Sequence, residues 1–542
     1  MALTPLKATC RPVPEPTQRF FLDHSALSQT WKNQPAWRIL DCEFGWNPRF
    51  FETLLAWQLD AMRPRMLHYV GLATQWAGLN PGFHRFSMAQ GRVLLTLCVG
   101  ELHSLLRELC FAADSIYLDL PPSKAQAWSK GRFKALARCC RIGTRLAAQT
   151  LTPEDRQALQ TVGFELNGLT GTFNPHWQQK TSRQPWHKAT SQPGSCIVLG
   201  AGLAGASVAA SLARRGWQVQ VLDAAQKPAA GASSLPVGMV MALLSADNNH
   251  RSRISQAGLQ MTIAQARALL EEGQDWKPTG LENVVKPHWQ AQAAWIKPER
   301  LVKAWLASPG IVFRGNQHVT DIELASSGWH LLGANGQLLA KSELLVLASA
   351  NHTVHLLKGL HQRKPELTDT LGQLYALQAV HGQLSWGWQD AEQTRQLPSH
   401  PLHGQGSLVH SVPQDQGLAW YLGATYENTD ATDLSQANGH TVNRDRLKRL
   451  LPHVPGLFDR AFNSREVQAW QGVRCVSSDR LPRIGAVNPK LLPGLWVNTA
   501  LGSRGLTYSF LCAELLAAQL MGEPWPLEAK LGLAMAAYSD RE

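Results

Sequence analysis

The stretch Cys196 to Ala224, CIVLGAGLAGASVAASLARRGWQVQVLDA, constrains this chain more than any other. Cys196 to Leu199 is a short apolar run of the kind that forms a buried parallel strand. Gly200, Gly202 and Gly205 follow as G-x-G-x-x-G. In such a loop the first glycine permits the tight turn and the second lets backbone approach a pyrophosphate. The third permits close packing of helix on strand. ASVAASLARRG then reads as a helix closed by Gly216, and WQVQVLDA as a second strand ending at Asp223. An acid about twenty residues past the glycines can accept hydrogen bonds from ribose hydroxyls, and the helix start offers free N–H groups to phosphate.

This unit serves both NAD and FAD, so other segments must decide. GASSLPVGMV supplies Gly231, Ser233, Ser234 and Gly238, a small hydroxyl-bearing loop suited to a bulky ligand. SELLVLASAN (342–351) is another apolar strand ending in small residues. LPGLWVNTALGSRGLTYSFLCAELLAAQL (492–520) repeats the strand, glycine loop and helix order, with Gly502, Ser503, Gly505 and Leu506 at the helix start. A nucleotide site assembled from segments this far apart favours FAD.

Residues 194–530 resemble FAD-dependent amine oxidoreductases of the D-amino-acid oxidase and glycine oxidase superfamily. Closer still, they resemble the C-terminal half of the bifunctional tRNA wobble-uridine enzymes of the MnmC family. The matching stretches are the Gly200 fingerprint, GASSLPVGMVMALLSADNN, AAWIKPERLVKAWL, GQLSW, YLGATYENTDATDL, QGVRCVSSDRLPRIGAV and LGSRGLTYSFLCAELLAAQLMGEPWPLE. His381 departs from the pattern, standing where arginine is expected before Gly382 and Gln383. Ala350 stands where the VLASAN loop often has glycine.

The first half reads as alternating strands and helices: WRILDCEF, NPRFFETLLAWQLDAM, RMLHYVGLA, RVLLTLCVG, DSIYLDL and, as a helix, KGRFKALARCCRIG. That order predicts a doubly wound α/β domain. PGFHRFSMAQGRVLLTLCVGE, DSIYLDLPPSKAQAW and LHYVGL resemble the S-adenosylmethionine-dependent methyltransferase half of the same family. The cofactor loop departs from it. Where such enzymes carry G-x-G-x-G, this chain has CEFGWNP; only Gly45 remains, and Trp46 and Pro48 add bulk. Ala73 occupies the place of the acid that holds the ribose, and LPPSKAQAW replaces a Gly-Phe-Ala-Pro-like loop. These changes predict a methyltransferase-like fold that binds S-adenosylmethionine poorly or not at all.

The expected fold class is therefore α/β. A Rossmann-like methyltransferase domain (1–181) and a linker (182–193) precede an FAD-binding Rossmann domain (194–542) with an interleaved α+β substrate domain. The FAD-binding parts fall at about 194–280, 335–360 and 465–530, and the substrate part at about 281–334 and 370–464. With 542 residues the chain is too long for one core. Its nine cysteines are scattered without metal-type pairs, so free thiols, a reducing cytoplasm and no metal are expected. No apolar run is long enough to span a membrane, and the first twenty residues lack a signal-peptide core.

The formal net charge is +12. Residues 1–190 carry 22 Lys and Arg against 13 Asp and Glu, whereas the rest carries 30 against 27. Lys124, Lys130, Arg132, Lys134, Arg138, Arg141 and Arg145 form a stripe with no acid between Asp119 and Glu154. Such a stripe suits a nucleic-acid backbone, or is a solvated helix face.

The resemblance implies a tRNA partner and a monomer. It implies oxidation of the carboxymethylaminomethyl group of a wobble uridine, giving the aminomethyl nucleoside and glyoxylate. Arg474, in GVRC, matches the carboxylate-binding arginine of glycine-oxidase-like enzymes. Arg504, in GSRG, lies on the flavin-side loop; Tyr426 and Gln383 are weaker candidates for the pocket wall. Two alternatives stay open: a fully bifunctional enzyme that also methylates its product, and a free glycine or D-amino-acid oxidase.

Overall fold

The computed structural model describes residues 21, 27–45, 48–120, 128–177, 192–428, 436–454, 456–464 and 466–538. Trp46, Lys124 and residues 182–191 of the expected linker lie outside them. The chain divides into two compact units. One comprises 1–194 with 214–216 and 514–534; the other comprises 195–213, 217–513 and 535–542.

The first unit is built on eight strands: β1 (Ala36–Asp41), β2 (Met66–Ala73), β3 (Gly82–Met88), β4 (Val93–Val99), β5 (Ala113–Leu118), β6 (Cys140–Ala148), β7 (Phe164–Asn167) and β8 (Thr170–Phe173), in the order β3-β4-β2-β1-β5-β6-β8-β7. The run β4-β2-β1-β5-β6 is parallel, and the order reverses beside β1, the place where doubly wound sheets bind ligands. Burial on both faces explains the near-continuous apolar strands: Leu40, Val70 and Ile116 face one core, Ile39, Leu67 and Tyr69 the other. KGRFKALARCCRIG is not one helix. The helix stops at Ala137, and β6 begins at Cys140, where the buried Cys139 and Cys140 seat the turn in the core. The segments 214–216 and 514–534 join this unit through buried charges. His68 meets Glu523 at 3.3 Å and Arg85 donates to the Pro524 carbonyl at 2.6 Å, while Arg215 ties Glu514 to Glu523 at 3.0 and 2.7 Å.

In the second unit a six-stranded sheet runs Ile311–Arg314, Gln218–Leu222, Ser195–Leu199, Leu344–Leu347, Leu495–Thr499 and Arg483–Ala486. All neighbours are parallel except the last pair. The edge strand Ile311–Arg314 falls within the span that the sequence assigns to the substrate part. A small antiparallel sheet (Asp321–Ala325, Gly328–Leu332, Leu338–Ser342) packs Ile322, Trp329 and Leu331 into the same core as Ile197 and Leu345.

A second large sheet contains Leu402–His403, Ser407–Gln414, Gly417–Gly423 and Gln378–Trp388, with Gln468–Val476 also paired to Gln378–Trp388. Residues 468–476, read from the sequence with the nucleotide part, are thus held in this sheet. That pairing puts Arg474 opposite Val380 and Gly472 opposite Gly382.

Candidate functional site

The glycine loop has the close contacts its sequence predicts. Gly200 has φ +110°, and a Cβ there would lie 2.5 Å from the Ala348 carbonyl oxygen. A Cβ on Gly205 would lie 1.8 Å from the Gly200 carbonyl oxygen, so only glycine lets the helix Leu203–Arg214 come this close to its strand. Asp223 accepts from Ala201 N–H at 2.7 Å and Ala225 N–H at 2.8 Å. The acid at the second strand's end therefore fixes the glycine loop.

GASSLPVGMV forms a short 3-10 turn, Ala232–Ser234. Ser233 Oγ accepts from Leu203 N–H at 2.9 Å, at the start of the nucleotide helix. Ser234 Oγ accepts from the Trp470 indole at 2.9 Å, tying this loop to the substrate sheet. At the C-terminal glycine loop Gly502 has φ +59°, Gly502–Arg504 is a 3-10 turn, and the helix Gly505–Met521 follows. A Cβ on Gly505 would meet Leu203 at 3.3 Å, and one on Gly238 would meet Leu506 at 2.7 Å. The fold thus brings Gly200, Gly202, Gly205, Asp223, Ser233, Ser234, Gly502, Ser503, Gly505 and Leu506 to neighbouring strand ends, turns and helix starts. Ala350, where glycine was expected, takes φ +53°.

Arg474 lies on Gln468–Val476 with its guanidinium over Gly382; a Cβ on Gly382 would sit 2.2 Å from Nη1. Nη1 donates to the Thr425 carbonyl at 3.1 Å, and Cζ lies 5.9 Å from the Tyr426 ring centroid. Among the described residues no carboxylate pairs with Arg474. Burial, then the Arg446 charge, pulls its pKa down, although the Tyr426 side chain opposes this. A half-buried cation without a counter-ion suits an arriving carboxylate.

Arg504 is likewise lowered mainly by burial, and its Nη1 donates to the Met241 carbonyl at 3.4 Å. His403, which the sequence did not single out, is pushed down to about 4, chiefly by burial and then by Arg504 and His288. Gln383 is buried and structural: its backbone N–H donates to Thr425 Oγ1, and its side-chain oxygen accepts from Gln471. Tyr426 is 46% exposed. His381, half-buried, faces Val473 and Glu427 in the strand register. Trp470 was missed because its partner, Ser234, is remote in sequence.

In the first unit a cavity of about 200 Å³ opens at the ends of β1, β2 and β4, lined by Glu43, Phe44, Ala73, Gln75, Trp76 and Gly100 among others. The loop after β1 folds into it. Phe44 N–H donates to the Leu72 carbonyl at 2.8 Å, and its ring packs so tightly on Gly71 that a Cβ there would lie 2.4 Å away. Trp76 closes on the same ring, with centroids 5.4 Å apart. The volume is below the roughly 300–1,000 Å³ of ordinary small-molecule sites. The basic stripe is split between elements. Lys130, Arg132 and Lys134 lie on a helix, Arg138 caps it, and Arg141 and Arg145 lie on β6. Arg132 is paired with Glu101 at 2.9 Å and Arg141 with Asp114.

Residues 195–286 and 264–519 match the family described as FAD dependent oxidoreductase, and residues 68–172 match S-adenosyl-L-methionine-dependent methyltransferase. The tRNA 5-methylaminomethyl-2-thiouridine biosynthesis bifunctional protein MnmC of Albidiferax ferrireducens is 41% identical over 95% of both chains. The protein of the same description from Polaromonas naphthalenivorans is 39% identical, over 95% of this chain and 92% of that one. The solved glycine oxidase of Geobacillus kaustophilus superposes with TM-score 0.46 at 17% identity, over 60% of this chain and 94% of that one. The second unit is thus an FAD-dependent oxidoreductase. Among the described residues no helix is long and apolar enough to cross a membrane, and no side-chain group is arranged to hold a metal.

Proposed function

The chain belongs to the MnmC family of bifunctional tRNA wobble-uridine modification proteins, and from that premise we propose that it removes the carboxymethyl group from 5-carboxymethylaminomethyl(-2-thio)uridine in tRNA. The observation that carries the reading is Arg474, an acid-free guanidinium on the strand whose Trp470 indole donates to Ser234 and whose Val476 lies against Gly502. In this reading the substrate's glycine carboxylate takes the two-pronged donor of Arg474. That contact aims the glycine methylene at the nucleotide clamp. Gly200, Gly202, Gly205, Asp223, Ser233, Ser234, Gly502, Ser503, Gly505 and Leu506 would hold FAD, which would supply the two-electron acceptor. Loss of a hydride and a proton from the CH–NH unit leaves an imine. Water adds to its carbon, the C–N bond breaks, and glyoxylate leaves the aminomethyl nucleoside behind. The site's cations favour the neutral, reactive amine over its ammonium form. Arg504, on the turn Gly502–Arg504, is a second cation for the flavin or substrate, and the first unit's basic stripe helps to hold the tRNA.

The methyl-transfer step is lost in this reading. The residues at the end of β1 and β2 do not fit S-adenosylmethionine: Phe44 occupies the close-approach position, and Ala73 offers no acceptor for a ribose hydroxyl. Incubating the protein with carboxymethylaminomethyl-bearing tRNA, with and without S-adenosylmethionine, tests both parts. Aminomethyl nucleoside and glyoxylate in both tubes are expected. A methylaminomethyl product would restore the two-step activity, and no conversion in either tube would refute the oxidation.

A further inference from the structure

Beside Arg474 stands a second guanidinium that the proposed oxidation does not use. The helix Gln436–Leu450 is anchored on the strand Gln378–Trp388 by the buried Asn443. Its amide donates to the Gln383 carbonyl at 3.2 Å and to Ser385 Oγ at 3.0 Å. Gly439, one turn earlier, comes so close that a Cβ there would lie 2.4 Å from the Gln383 side chain. Arg446 is three residues beyond Asn443, on the same helix face. Its Nη1 donates to the Ala424 carbonyl at 2.6 Å, while Arg474 takes the next carbonyl, that of Thr425, at 3.1 Å.

Two guanidinium groups therefore converge on consecutive peptide units, with the exposed Tyr426 ring beside them. The other cations of this part of the helix are neutralised: Arg444 meets Asp459 at 2.6 Å and Lys448 meets Asp445 at 3.1 Å. Arg446 and Arg449 form no ion pair among the described residues, although the Glu427 carboxylate attracts Arg446 from beyond ion-pair distance. The repulsion between Arg446 and Arg449 outweighs the attraction of Glu427, and an arriving anion relieves it. Arg474 is committed to the carboxylate, so the remaining anion must come from elsewhere on the substrate. A nucleotide within RNA brings a phosphodiester; a free amino acid does not.

We infer that Arg446, with Arg449 behind it, is a phosphodiester subsite that takes the RNA backbone at the nucleotide being oxidised, and so selects a glycine unit carried on RNA over a free amino acid. This rests on the proposed tRNA demodification. The test is binding of an anticodon stem-loop RNA to the FAD-loaded full-length protein, followed by fluorescence anisotropy across a potassium chloride series. For Arg446→Gln, affinity should fall about tenfold at moderate salt, and the slope of log K against log salt should become shallower by about one. Arg446→Lys, which keeps the charge, should retain the wild-type slope. An unchanged affinity and slope in Arg446→Gln would overturn the subsite. If that variant loses its flavin absorbance, Arg449→Gln takes its place: a shallower slope supports the subsite and an unchanged one overturns it. Failure of the demodification reading shows separately, as wild-type protein that releases no glyoxylate from modified tRNA while the salt slope stays readable.

Discussion

The Ala201 N–H donates to the Asp223 carboxylate across 2.7 Å, so the residue at the end of one strand sets the shape of the glycine loop that follows another. A carboxylate can accept several hydrogen bonds, leaving capacity for a ribose hydroxyl.

Asp223→Ala is expected to weaken FAD binding. Loss of one charge-assisted hydrogen bond costs about 1.5–3 kcal/mol, or roughly ten- to a hundredfold in affinity. Loosening of the loop adds to this. Reconstitution of the apoprotein followed by flavin fluorescence measures the change; wild-type affinity would remove Asp223 from the site.

Arg474→Ala should leave the flavin bound and lower kcat/KM on modified tRNA by at least about tenfold, the loss expected from one charged contact. Arg474→Lys should recover only part, because an ammonium cannot bind a carboxylate in the two-pronged mode. Equal kinetics in all three proteins would exclude the carboxylate role.

Ala350 holds φ +53°, a conformation that costs a residue with a Cβ roughly 1–2 kcal/mol. Glycine removes that strain but gains freedom in the unfolded chain, worth about 0.4–1 kcal/mol. Ala350→Gly should therefore stabilise the protein by about 0.5–1 kcal/mol in urea unfolding. A destabilised variant would mean that the methyl group packs usefully.

Burial pushes His403 down to about 4, from an ordinary value near 6.5. The folded protein thus prefers the neutral ring. Its contribution to stability is complete above pH 6.5 and is lost as pH falls from about 6.5 to 4, where the unfolded chain takes up the proton first. Unfolding followed across that range should show a shallower fall in stability for His403→Gln than for wild type. Parallel curves would mean that His403 does not titrate this way.

What the sequence determined by itself was local. The apolar strand, three glycines and an acid at fixed spacing can satisfy their sterics in only one supersecondary unit, so Gly200, Gly205 and Asp223 were legible without coordinates. The departure after β1 was legible in the same way, as Trp46, Pro48 and Ala73 at positions with narrow requirements, but that Phe44 packs on Gly71 was decided by the tertiary structure. Tertiary structure decided whatever depends on pairing between distant segments. The strand Gln468–Val476 joins a sheet with Gln378–Trp388, and only that register lays Arg474 on Gly382. Arg446 reads in sequence as one more cation on a polar helix. It becomes the neighbour of Arg474 only because Asn443 docks that helix on the same strand. The basic run from Lys130 to Arg145, uniform in sequence, was divided between a helix and a strand because Cys139 and Cys140 prefer the core to another helical turn. Periodicity records what a segment needs from its immediate neighbours; which distant carbonyls and charges it meets is set by the packing of whole sheets.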